Sequence, residues 1–172
     1  EMVLSLNKEI PTSVNSLSNV VIENVTWTPE VEITGNRFSR IPTRGVLLTT
    51  RKKSLIENNV FYGMQMSAIL VADDAMSWYE SGPVHNLTIR RNTFLQCGGP
   101  VILIAPEYRK YEGPVHKHIL IEENVFESDN PGVSAISAKG VDGLIIRNNH
   151  YGMKMKKNLV NIMDCVNDVV TY

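Results

Sequence analysis

Asp73 and Asp74 are adjacent carboxylates at the end of a short apolar run, Ser67 to Ala72, and Trp78, Tyr79, Glu80 and Gly82 follow closely. Glu107 is a third carboxylate in a comparable setting, after the apolar run Val101-Ile102-Leu103 and just ahead of Tyr108 and Tyr111. Crowded carboxylates raise one another's pKa, so one can hold a proton while another stays ionised. Glycoside hydrolysis needs that division of labour: one acid protonates the leaving oxygen and one base activates water. Asp73, Asp74 and Glu107 are therefore the candidate catalytic residues. Trp78, Tyr79, Tyr108 and Tyr111 offer aromatic faces that can stack on the C–H face of a pyranose. Arg44, Arg51 and Glu80 are candidate partners for sugar hydroxyls.

Each feature also has a plainer reading. Asp73-Asp74 before Ala75-Met76-Ser77-Trp78 fits a helix N-cap with Gly82 past the helix end. The aromatics also fit ordinary loop packing. Successive strand residues face opposite sides, so Asp73 and Asp74 share a site only if the strand has ended before them.

The elements that must position these residues are visible as a repeat. The pattern Ile-x-x-Asn-x-aromatic occurs five times, at Ile33/Asn36/Phe38, Ile56/Asn59/Phe61, Ile89/Asn92/Phe94, Ile121/Asn124/Phe126 and Ile146/Asn149/Tyr151. Internal repeats with periods above about 20 residues indicate a solenoid. Each copy lies in a short alternating run, such as Leu87-Thr88-Ile89, that suits a strand and is too short for a helix. Asn tolerates the left-handed backbone of a sharp corner, and its amide can bond the coils above and below. A second apolar run follows each isoleucine by about 13 residues, so each coil has at least two strand faces. The expected fold is all-β, a right-handed parallel β-helix of about five to six coils. Residues 1–18 read as an irregular lead-in or capping segment, and 19–172 as the β-helix domain.

Successive repeat isoleucines lie 23, 33, 32 and 25 residues apart. The extra length falls in two corresponding places, 73–83 and 105–114, and both insertions end in Gly-Pro-Val-His, at Gly82–His85 and Gly113–His116. Insertions on adjacent coils build a wall, and solenoids commonly bind on such a face. Counting 18 residues past each isoleucine gives a column of ionisable groups, Arg51, Asp74, Glu107, Lys139 and Asp164. In a β-helix such positions stack about 4.8 Å apart. The column is either a salt-bridge ladder, Arg51 with Asp74 and Glu107 with Lys139, or a site built on the like charges of Asp74 and Glu107.

The rest of the composition narrows the function class. The chain has 172 residues and a formal net charge of −1, enough for one domain and without the charge excess that favours nucleic acid or anionic membranes. Its apolar stretches are only a few residues long, which gives no transmembrane helix, and no signal segment is visible from Glu1 onward. Cys97 and Cys165 lack metal-type spacing and read as buried thiols. The four histidines show no metal pattern, so no metal site is expected.

These stretches resemble the glycoside hydrolase family 110 α-1,3-galactosidases. The likeness is carried by Asn19 through Glu30, Ile41-Pro42-Thr43-Arg44-Gly45-Val46-Leu47, Thr49-Thr50-Arg51, Ile69 through Ala75, Trp78 through Pro83, Pro100-Val101-Ile102 and Ala105-Pro106-Glu107. The resemblance implies a cofactor-free β-helix enzyme that removes terminal α-1,3-linked galactose, as on blood group B glycans, with inversion. It implies a galactose-terminated oligosaccharide as partner, no nucleic acid or membrane, and a periplasmic or extracellular bacterial location. Members of that family are much longer, so this chain resembles a C-terminal portion. If the main carboxylates lie upstream, Asp73, Asp74 and Glu107 would bind substrate and the portion alone would be inactive. A possible homodimer follows from the unpaired edge of an exposed coil end. Two other classes stay open: a non-catalytic β-helix that binds surface glycans, as in an adhesin, and a polysaccharide lyase. The acid-rich column argues against the lyase, which would want a basic cleft.

Overall fold

A computed structural model describes residues 5–10, 23–74, 82–108, 110–155 and 159–171. Its strands fall into three parallel sheets. Sheet A contains β1 (Val31–Thr34), β4 (Ser54–Glu57), β7 (His85–Arg90), β10 (His116–Glu122), β13 (Val141–Arg147) and β16 (Val169–Val170). Sheet B contains β2 (Arg37–Ser39), β5 (Val60–Tyr62), β8 (Thr93–Leu95), β11 (Val125–Glu127) and β14 (His150–Tyr151). Sheet C contains β3 (Val46–Leu48), β6 (Ile69–Val71), β9 (Ile102–Ile104), β12 (Ile136–Lys139) and β15 (Val160–Met163). The chain passes through A, B and C in turn and then repeats, which makes a parallel β-helix with three faces. The aromatic two residues past each asparagine lies in a strand of its own, so the expected minimum of two faces is in fact three.

The repeat residues stack as their spacing requires. Ile33, Ile56 and Ile89 are matched Cα partners along sheet A, as are Ile121 and Ile146. Ile56, Ile89, Ile121 and Ile146 are fully buried. Each such side chain contributes roughly 1.5–3 kcal/mol of hydrophobic stabilisation. On sheet B, Phe38, Phe61, Phe94, Phe126 and Tyr151 form a continuous near-parallel stack with centroids 4.7, 5.1, 4.9 and 5.5 Å apart.

The asparagines form a second ladder. The amide of Asn92 donates to Ile56 O (2.8 Å) and to Asn124 Oδ1 (3.0 Å), while its own Oδ1 accepts from the backbone N–H and the side chain of Asn59, each at 3.0 Å. The same pattern links Asn36 to Asn59 and Asn124 to Asn149. The left-handed backbone of the corner, however, belongs to the residue before each ladder asparagine. Gly35, Asn58, Arg91, Glu123 and Asn148 have φ of 66°, 55°, 54°, 54° and 53°. The ladder asparagine itself must keep its N–H aimed at the neighbouring coil, so the turn is made one residue earlier.

The connections from sheet C to sheet A differ in length. β12 passes into β13 through Gly140 alone, whereas 72–84 joins β6 to β7 and 105–115 joins β9 to β10. These are the two insertions read from the repeat, and they leave neighbouring strands at the same edge.

His116 lies where the second insertion re-enters sheet A. It is fully buried, and its Nδ1 accepts the backbone N–H of Val84 (3.0 Å) at the end of the first insertion. Its Nε2 is buried with no hydrogen-bond partner among the described residues. The two Gly-Pro-Val-His segments are therefore offset by one residue: His85 pairs with Lys117, and Val84 meets His116. Burial, then the nearby His85, pushes the His116 pKa down from 6.5 to about 4. On acidification the unfolded chain takes up this proton below about pH 6.5, whereas the folded chain refuses it until about pH 4. Stability present above pH 6.5 is thus lost as pH falls through that window, on the order of 3 kcal/mol in all. Between pH 7 and 5.5 the expected loss is about 1 kcal/mol, read from urea midpoints. His116→Leu flattens that slope, and a slope unchanged in the variant would assign it to other groups.

Candidate functional site

β6 ends at Val71, so Asp73 and Asp74 both lie past the strand, where alternation of faces no longer separates them. Asp73 is partly buried and Asp74 nearly fully buried. The Asp73 carboxylate accepts the backbone N–H of Glu107 at Oδ1 (2.8 Å), and the same N–H approaches Asp73 O at 3.3 Å. The turn after β6 is thereby closed onto the turn after β9, which puts the three acidic residues on adjacent turns of two coils. Burial is the main cause that raises the Asp73 pKa above the usual carboxylate range; the bond from Glu107 opposes it, and the Asp74 charge adds a smaller upward push. Desolvation, more than crowding, drives the upward shift.

Strand register tests the column of ionisable residues. Val46, Ile69 and Ile102 are matched partners, and Arg51, Asp74 and Glu107 each lie five residues beyond them. Lys139 departs from the column, because it pairs with Met163 within sheet C and so lies two positions earlier. The immediate turn at Gly140 (φ 63°) leaves no room for the longer exit that the earlier coils make. Lys139 Nζ sits over the ring of Tyr108, 3.9 Å from its centroid, and the Tyr108 hydroxyl donates to Asp164 Oδ2 at 2.5 Å.

Arg51 is held by Glu23, with Nε and Nη2 at 2.8 and 2.5 Å from Oε2. Gly82 returns the first insertion against this pair so closely that a Cβ there would lie 2.7 Å from Arg51 Nη2. A side chain there would have to push the ends of Arg51 and Glu23 aside. His85 is also nearby: burial, then the Arg51 charge, lowers its pKa. Along this edge lie the Arg51–Glu23 pair and, on the next two coils, Asp73, Asp74 and the exposed Glu107.

Arg44 is exposed and precedes β3, whereas Arg51 follows it, so the two mark opposite ends of sheet C. Trp78, Tyr79 and Glu80 lie outside the described residues, as does the helix reading of 75–81. Tyr108 and Tyr111 pack on each other, with centroids 5.8 Å apart and planes tilted by 51°. Sequence reasoning did not single out Glu23 or His116. Glu23 precedes the first repeat copy and has no equivalent in later coils. His116 was signalled by the doubled Gly-Pro-Val-His, but the one-residue offset that buries it depends on register.

The family model for a right handed beta helix region matches residues 18–153. The chain is 61% identical over 159 residues to alpha-1,3-galactosidase A of Bacteroides thetaiotaomicron, covering 92% of this chain and 28% of that protein. It is 46% identical to alpha-1,3-galactosidase A of Akkermansia muciniphila, over 92% of this chain and 25% of the relative. It is 36% identical to alpha-1,3-galactosidase B of Bacteroides fragilis, over 87% of this chain and 27% of the relative. The chain spans about a quarter of the length of these curated relatives.

Proposed function

Because the chain belongs to the right-handed β-helix family, its functional edge is a row of stacked turns, and we propose that this edge is part of the active site of a glycoside hydrolase. The substrate is a glycan ending in α-1,3-linked galactose. The names of the relatives support that choice of sugar and linkage. The observation that carries the chemistry is the bond from the Glu107 N–H to Asp73 Oδ1, which locks the acidic turns of two coils together.

In this reading Glu107, exposed at the rim, is the general acid. Its carboxyl proton passes to the glycosidic oxygen as the bond from that oxygen to the anomeric carbon breaks. Asp74, with Asp73 beside it, takes a proton from the water that attacks the opposite face of the galactose, and the water oxygen forms the new bond. The product has inverted configuration. Arg51, fixed by Glu23, is positioned to donate to galactose hydroxyls.

The test is hydrolysis of an α-1,3-galactosyl oligosaccharide by the full-length polypeptide, followed by proton NMR. β-Galactose is the expected first product. Initial α-galactose overturns inversion, and intact substrate overturns the hydrolase reading.

A further inference from the structure

We propose that Tyr108 is a positioning residue that holds Glu107 in place by latching its turn to Asp164. The inference rests on the reading of Glu107 as the general acid.

Glu107 is exposed, and the position of its carboxyl follows that of the turn that carries it. Its backbone is tied on one side to Asp73, on the preceding coil. Tyr108 ties the turn in the other direction. Its hydroxyl reaches Asp164 Oδ2 at 2.5 Å, across 56 residues of sequence, to the turn that follows β15 two coils away. Lys139 on the coil between covers the ring, 3.9 Å from its centroid. Gly140 lets the contact close: a Cβ there would lie 3.0 Å from Pro106 Cγ and 3.4 Å from Tyr108 Cε1.

Glu107 is therefore tied through its own N–H to the preceding coil and through Tyr108 to the following ones. A proton donor must sit within hydrogen-bond reach of the leaving oxygen, and a misplacement of about 1 Å can cost about a hundredfold in rate. Asp164 and Lys139 sit among surface charges with no other assigned task, and the latch gives both a role. Burial, then the bond to Asp164, pushes the Tyr108 pKa well above the ordinary phenol range, so the hydroxyl stays a donor at working pH.

The test uses two substrates in the full-length polypeptide: an α-1,3-galactosyl sugar, whose leaving oxygen needs a proton, and 2,4-dinitrophenyl α-galactoside, whose leaving group does not. Tyr108→Phe and Asp164→Ala, each of which removes one partner of the bond, are expected to lower kcat on the sugar about tenfold, with KM within about twofold, and to keep near-normal rates on the aryl galactoside. Wild-type kcat on the sugar, or an equal loss on both substrates, overturns the latch and reduces Tyr108 to packing. Glu107→Gln is run alongside. A selective loss on the sugar supports its role as acid; no such selectivity overturns that role, and the latch falls with it.

Discussion

Asp74→Asn lowers galactose release from an α-1,3-galactosyl glycan by at least about a hundredfold in the full-length polypeptide, measured as kcat at saturating substrate. The change is nearly isosteric and removes only the ability to take a proton. Asp74 lies past the end of β6, nearly buried, in register with Arg51 and Glu107. A base in that setting is shielded from bulk water and can act on the single water that attacks the sugar. Asp73→Asn is the informative partner. An amide oxygen still accepts the Glu107 N–H, so the junction of the two turns survives and only the charge is lost. If Asp74→Asn turns over normally while Asp73→Asn does not, the base is Asp73. If neither matters, the edge binds sugar without catalysing its hydrolysis.

Asn92→Ala destabilises the fold by about 3–5 kcal/mol, measured from urea or thermal unfolding. Asn92 is fully buried. Its removal strands the backbone N–H of Asn59 and one of the two side-chain amide bonds of that residue, the other staying on Ile33 O, and it leaves Ile56 O without the amide donor that Asn92 supplies. A buried polar group left unpaired costs about 1–3 kcal/mol. Solvent relieves little of this, because the ladder runs inside the helix. Arg90→Ala provides the contrast: it breaks an ion pair with Glu57 (2.7 Å) at the surface and should cost under about 1 kcal/mol. Equal costs for the two variants would remove the ladder from the account of stability.

Much of the fold was legible because a solenoid writes its geometry as a period. Ile89 falls beside Ile56 and Ile121, and Phe94 on Phe61 and Phe126, since each coil must return the chain to the same place. The two insertions were legible as departures from that period. The third sheet was harder to see, because its strands are two or three residues long and merge with the asparagine corner. The corner itself was placed one residue late. Asn tolerates a positive φ, which pointed to the ladder asparagine, but its ladder bonds require the preceding residue to turn instead.

The candidate site was partly legible. Asp73, Asp74 and Glu107 stood out by residue type at the start of the insertions, and Arg51 by its place in the column. The column failed at Lys139, where counting from one isoleucine ignored how abruptly β12 turns at Gly140. The partner of Arg51 was equally hidden, since Glu23 precedes the first repeat copy and reaches Arg51 only through the path of the chain.

By itself the sequence determined the coil, its five repeats, its two insertions and the acidic character of the edge they share, because each depends on residue type at a fixed spacing. Only the tertiary structure decided which acid meets which turn, that Glu23 holds Arg51, that Tyr108 reaches Asp164, and that His116 is buried while His85 is not. Those outcomes depend on register and on where loops of unequal length return. A shift of one residue there exchanges a buried side chain for an exposed one.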